Sequence, residues 1–115
     1  GVESRLPLLL TAAAEKRISL QDVVRLCSTN PAKVFGLYPA KGEIAEGSDA
    51  DFALVDLGKE WTLRSENLES KAKETFLFDG WKIRGQCVAT YLRGELMMKD
   101  GNVTGEPGTG RLIKP

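Results

Sequence analysis

The sequence predicts an α+β chain in which a helical first third, ending near Gly36, gives way to a strand-rich remainder. Three observations lead there. Leu6, Leu9, Leu10 and Ala13 recur at the i, i+3, i+4, i+7 spacing of an amphipathic helix. Leu20, Val23, Val24 and Cys27 form a second apolar stripe of the same kind. After Gly36 the helical period disappears, and Pro39, Gly42, Gly47 and Gly58 punctuate short segments.

Pro7 fits the first turn of the opening helix, where its missing N–H costs nothing, and the charged residues Glu15, Lys16 and Arg17 close that helix. Ser19 and Asp22 have the spacing of a capping box with Asp in place of Glu, so the second helix starts there and ends near Ser28 or Thr29. Asn30-Pro31 is a restart signal: the Asn side chain caps, proline occupies the first helical position, and Ala32 to Phe35 form a short helix stopped by Gly36.

Phe52-Ala53-Leu54-Val55 is the best candidate for a buried strand, a compact apolar run with an acidic residue at each end. Trp61-Thr62-Leu63 reads as another short strand. Ser65 to Ala72 reads as a helical turn or an ordered loop, with Ser65 as cap and Leu68 and Ala72 one turn apart. Gln86 to Lys99 reads as a hairpin whose arms, Cys87 to Leu92 and Glu95 to Met98, flank Arg93-Gly94. Asp100-Gly101-Asn102 supplies a second turn that lets Val103 and Thr104 extend a meander, and Gly105 to Gly110 is a turn-rich loop.

Composition narrows the function. The chain is 42% hydrophobic, 28% charged and 7% aromatic, as in one ordinary ordered domain. Its 16 basic residues balance 16 acidic ones and are spread along the chain, which supplies no field for nucleic acid or an anionic membrane surface. The longest apolar runs, Leu8 to Leu10 and Phe52 to Val55, fall far short of the roughly 20 residues that span a bilayer. With no signal-peptide pattern, the expected location is cytoplasmic. Cys27 and Cys87 form no Cys-x-x-Cys pair and read as reduced, partly buried thiols.

No histidine occurs anywhere in the sequence. Imidazole is the usual ligand of catalytic zinc and the commonest general base near neutral pH, so the chain offers no such centre. The remaining candidates have structural explanations. Asp49 and Asp51 could form a carboxylate pair for a hard cation, but their place beside Gly47-Ser48 suits a role in fixing the strand's entry. Lys33 could be a reactive or carboxylated lysine, but it lacks partner ligands and reads as a solvated helix-surface residue. The glycines at 105, 108 and 110 lack the strand-to-helix context of a phosphate cradle. Trp61, Phe76, Phe78 and Trp81 read as core or interface aromatics, since no basic cluster accompanies them.

Two longer segments carry a resemblance. Asn30-Pro31-Ala32-Lys33-Val34-Phe35-Gly36-Leu37, and then Lys41-Gly42-Glu43-Ile44-Ala45-Glu46-Gly47-Ser48-Asp49-Ala50-Asp51-Phe52-Ala53-Leu54-Val55-Asp56, strongly resemble the carboxyl-terminal region of the amidohydrolase superfamily. Within it the chain looks most like the cyclic-amide hydrolases, the dihydroorotases first, then the allantoinases and the dihydropyrimidinases or hydantoinases. Gly1 to Leu9 is similar to the G-x-E-[TS]-x-x-P-L-L segment of that branch. Ser70 to Thr75 with Gly80 to Gly85, and Val88 to Gly94, resemble two further stretches, although Thr75-Phe76-Leu77-Phe78 replaces the usual T-P-F.

The resemblance implies a fold and an activity for a larger parent. Residues 1–38 would be the last helices of a (β/α)₈ barrel, and residues 39–115 the carboxyl-terminal strands of the small amidohydrolase β-sandwich. The parent would be a zinc-dependent hydrolase of cyclic amides, with its metal ligands, aspartate and substrate-reading side chains all upstream of Gly1. The resemblance therefore assigns no catalytic, substrate-binding or metal-ligating residue to this chain, and no zinc is expected in it. Its expected partners are the rest of the parent chain and further copies of itself. A non-catalytic scaffold or interaction module is the alternative.

Overall fold

Helix α1 covers Val2–Ala14 in a computed structural model that describes residues 2–71 and 73–115. The helix starts before Leu6, so Pro7 lies inside it instead of in its first turn. Proline there removes only the bond that its N–H would give to the Glu3 carbonyl, one turn back. The charged stretch closes α1 as expected: Lys16 takes a left-handed φ of 60° while the Arg17 N–H reaches the Ala12 carbonyl at 2.9 Å.

The Ser19–Asp22 box forms in both directions. The Ser19 N–H donates to the Asp22 carboxylate at 3.2 Å, and the Asp22 N–H donates to Ser19 Oγ at 3.0 Å. It opens α2, Leu20–Val24. The expected stop near Ser28 or Thr29 does not occur. A π-helical turn, Arg25–Thr29, leads straight into α3, Asn30–Val34. Asn30 is helical (φ −66°, ψ −45°) and caps nothing; its N–H bonds the Arg25 carbonyl five residues back. The physical reason is the wider turn, which admits Pro31 without a break by relieving the ring's clash with the carbonyl four residues earlier. Gly36 ends α3 where expected, its N–H bonding Lys33 O at 3.2 Å.

Four strands follow: β1 (Phe52–Thr62), β2 (Lys82–Leu92), β3 (Glu95–Lys99) and β4 (Asn102–Val103). They form one sheet in the order β1-β2-β3-β4, with β2–β3 and β3–β4 antiparallel. Arg93 (φ 50°) and Gly94 (φ 81°) make the two-residue hairpin turn, both left-handed as such a turn demands. Leu92 pairs with Glu95 and Tyr91 with Leu96, after which a bulge shifts the register so that Thr90 faces Met98.

Two strand expectations need correction. Phe52 to Val55 and Trp61-Thr62 belong to a single strand that runs through Gly58, and this strand is not buried: Ala53 is exposed and Leu54 is 47% exposed. Among the described residues β1 is an edge strand of the sheet, with no strand paired on its other side. Ser65 starts a 3₁₀ turn, Ser65–Asn67, but caps nothing with its side chain; its N–H instead donates to Asp79 Oδ1 at 2.6 Å. The expected Leu68–Ala72 pairing includes Ala72, which lies outside the described residues, as does Gly1.

The chain divides into two compact units, one of Gly1–Val23 with Asp56–Gln86, the other of Val24–Val55 with Cys87–Pro115. In the first, Leu10, Val23, Leu63 and Ile83 are buried, as is the polar Ser4. Trp61 donates its indole N–H to Gly85 O at 3.1 Å, and the Glu3 carboxylate accepts the backbone N–H groups of Glu69 and Ser70, both at 2.9 Å. In the second, Ala32 and Ala89 are buried and Phe52 stacks on Tyr91 with ring centroids 4.7 Å apart. Gly42, at φ 93°, lies so close to α3 that a Cβ there would come within 2.5 Å of Ala32 Cβ. Only glycine fits.

Candidate functional site

The densest polar cluster lies in the second unit, where the loop ahead of β1 meets the β2–β3 hairpin. The Asp49 N–H bonds Ala40 O at 2.9 Å and Ser48 Oγ donates to Pro39 O at 2.7 Å, which brings Lys41 beside the two aspartates. Lys41 Nζ sits 2.7 Å from Asp49 Oδ2 and also donates to Asp51 Oδ2. The other Asp51 oxygen accepts the Arg93 N–H at 2.7 Å, and the Gly94 N–H bonds Ala50 O at 2.9 Å. The Arg93 guanidinium reaches Thr109 O at 2.7 Å, tying in the Gly105–Gly110 loop.

Burial sets the character of this cluster. Only 16% of the Lys41 side chain and 25% of the Asp51 side chain are exposed. Burial pushes the Lys41 ammonium down, but its bonds to Asp49 and Asp51 outweigh that and hold it above the ordinary lysine value. Burial likewise pushes the Asp51 carboxyl up, and the bonds from Lys41 and the Arg93 N–H more than reverse it. Both groups are thus driven away from neutral pH, the opposite of what proton transfer requires. With both Asp51 oxygens engaged, the pair reads as a brace for the entry to β1, not as a cation site.

Of the residues considered from sequence, Asp49 and Asp51 are brought together, while Lys41 and Arg93 were missed. Lys41 was legible as the first residue of the K-G-x-I-x-x-G-x-D-A-D pattern; Arg93 was legible only as a turn residue. Lys33 Nζ stands 4.8 Å over the Tyr38 ring, a cation–π contact at the surface. The Tyr38 hydroxyl donates to Glu43 at 2.6 Å, which raises its pKa. Phe78 makes edge-on contacts with Phe76 (5.8 Å) and Trp81 (5.1 Å) in the first unit. Cys27 and Cys87 are half-buried free thiols. No regular helix follows Gly110. Among the described residues no three His, Cys, Asp or Glu side chains converge as metal ligands.

The wider comparison decides what this scaffold is. A model of the amidohydrolase family matches residues 2–97. The chain belongs to the amidohydrolase family. Like this amidohydrolase chain over 114 residues are the dihydroorotase of Pyrococcus abyssi, 45% identical, and the D-hydantoinase of Ralstonia pickettii, 40% identical. Each match covers 99% of the chain but only 28% and 25%, respectively, of those proteins. The chain thus spans about a quarter of the length of the curated relatives it matches.

Solved structures agree with that placement. A D-hydantoinase superposes with a TM-score of 0.91 at 38% identity, over 98% of this chain and 24% of its own. The L-hydantoinase (dihydropyrimidinase) of Arthrobacter aurescens gives 0.89 at 36%, over 96% of this chain and 24% of its own. The small antiparallel sheet and its helices therefore have the fold of the corresponding quarter of hydantoinase chains.

Among the described residues, no helix is long and apolar enough to cross a membrane.

Proposed function

We propose that this chain is the carboxyl-terminal portion of a zinc-dependent cyclic-amide hydrolase, most like a dihydroorotase, which interconverts dihydroorotate and carbamoyl-aspartate in pyrimidine biosynthesis. The observation that carries this reading is the 45% identity, over almost the entire chain, to a dihydroorotase about three and a half times as long. In it, residues 1–38 are the closing helices of the barrel and residues 39–115 the carboxyl-terminal strands of the sandwich. The chain contributes scaffold: it has no histidine, and its half-buried Asp51 carboxylate is committed to Lys41 and Arg93. Zinc and substrate are held by the rest of the protein.

Exposed apolar residues support a larger assembly. Val34 is 78% exposed and Phe35 67%, on a helix end that a free-standing domain would cover. The partners are the remainder of the parent chain and further copies of it. A second reading, a hydantoinase or dihydropyrimidinase, is favoured by the TM-score of 0.91 to a D-hydantoinase structure.

Assaying the full-length protein against dihydroorotate, hydantoin, dihydrouracil and allantoin, with zinc measured in parallel, separates these readings. Dihydroorotate turnover well above the others, with bound zinc, is the expected result. Preference for hydantoin or dihydrouracil moves the assignment to the second reading, and a zinc-free protein inert toward all four overturns both.

A further inference from the structure

An Asp-Gly dipeptide lets a backbone nitrogen reach the preceding side-chain carboxyl freely, because glycine puts no side chain in the way. It occurs at Asp79-Gly80 and again at Asp100-Gly101. Both dipeptides are exposed, so exposure does not separate them. Hydrogen bonding does. At the first, Asp79 Oδ1 accepts the Ser65 N–H at 2.6 Å, and Arg64 stands 3.9 Å from Oδ2. The bond from Ser65 holds the Asp79 carboxyl below its ordinary value, and Arg64 adds to that, so the group stays ionised. The Gly80 N–H is committed as well, to Leu63 O at 2.8 Å.

Asp100-Gly101 is built differently. It is the turn between β3 and β4, left-handed at both positions with φ 49° and 82°. The Asp100 N–H bonds Val88 O at 2.9 Å, but among the described residues its carboxylate has no partner and the Gly101 N–H has no acceptor. The ladder it closes pairs Met98 with Val103 and Lys99 with Asn102, and a ladder that short opens at little cost. Electrophile and nucleophile are therefore both free at residues 100–101 and both tied at residues 79–80.

We propose that Asp100-Gly101 is a site of spontaneous isoaspartate formation and that Asp79-Gly80 is protected from it. The Gly101 nitrogen attacks the Asp100 side-chain carboxyl carbon, and the amide hydrogen leaves with the carboxyl OH as water, closing a succinimide. Water then adds to the main-chain carbonyl of that ring and breaks its bond to the Gly101 nitrogen, so the chain runs on through the side-chain carbonyl. The backbone gains one methylene, the former main-chain carboxyl is left pendant, and the mass is unchanged. The lengthened turn pulls Thr104 out of register with β3, where its N–H bonds Met97 O and its hydroxyl bonds Leu96 O, each at 2.9 Å.

The test ages the full-length protein at neutral pH, folded and in denaturant, and measures isoaspartate at both dipeptides by electron-transfer mass spectrometry of digests. In the folded protein, product at Asp100 is expected to accumulate about tenfold faster than at Asp79. In denaturant the two rates should converge, since the fold alone separates them. Amide exchange at Thr104 should quicken with ageing in wild type and stay constant in Asp100→Glu, whose longer side chain closes a ring far more slowly. Equal accumulation at the two sites in the folded protein, a difference that persists in denaturant, product at Asp100 only after unfolding, or the same rise in exchange in Asp100→Glu overturns the proposal.

Discussion

The Arg93 N–H donates to Asp51 Oδ1 at 2.7 Å, joining residues 42 positions apart in the chain. That bond fastens the β2–β3 turn to the residue that precedes β1, and Lys41 completes it from the other side. A half-buried carboxylate with two charge-assisted or backbone donors is stable only while both remain in place.

Asp51→Asn is therefore expected to cost about 2 kcal/mol of stability near neutral pH. Since the Asp51 carboxyl titrates below its ordinary value, its contribution is present above about pH 4 and is lost as pH falls through the depressed folded value. Lys41 titrates above its ordinary value, so its share is present below about pH 10 and is lost as pH rises through the elevated folded value. Denaturant midpoints of wild type and variant should run parallel between those limits and converge outside them. Convergence already at pH 6 would refute the brace.

Glu3→Gln replaces a carboxylate that accepts two consecutive backbone N–H groups by an amide with one acceptor oxygen. The expected effect is local, about 1 kcal/mol. Amide hydrogen exchange at Glu69 and Ser70 should quicken about fivefold, with exchange at Ala89 unchanged.

Gly42→Ala would place a methyl group within 2.5 Å of Ala32 Cβ at a left-handed φ. Steric overlap and backbone strain together should cost about 3 kcal/mol. A thermal midpoint within error of wild type would show that the loop can move away from α3 freely.

Leu54→Lys tests whether further chain covers β1, as the hydrolase reading implies. Leu54 is 47% exposed on the edge strand, so a charge there would be nearly neutral if that face met solvent. In the full-length protein a loss of about 2 kcal/mol is expected, measured as a shift in the denaturant midpoint without change in its slope. No shift would mean that the face stays wet in the parent.

Local chemistry was legible wherever it was self-contained. The Ser19–Asp22 box, the Gly36 stop, the Arg93-Gly94 hairpin and the Asp100-Gly101 turn each depend on a few adjacent residues whose side chains or φ preferences act within one turn. The long K-G-x-I-x-x-G-x-D-A-D pattern also carried the family, because an ordered match of that length records a whole local structure. The lack of histidine was likewise decided by composition alone.

Tertiary structure decided the rest. The sequence could not separate an apolar run on an exposed edge from one at a sheet's centre, since Phe52 to Val55 reads the same in both and only the strand order distinguishes them. Nor could it show that a π-helical turn would carry α2 through Pro31, because the relief of that clash is a property of the helix's width. The partners of Asp51 are set by a hairpin 42 residues away. Side-chain identity and neighbouring residues determine local geometry; long-range chain closure determines which charges meet.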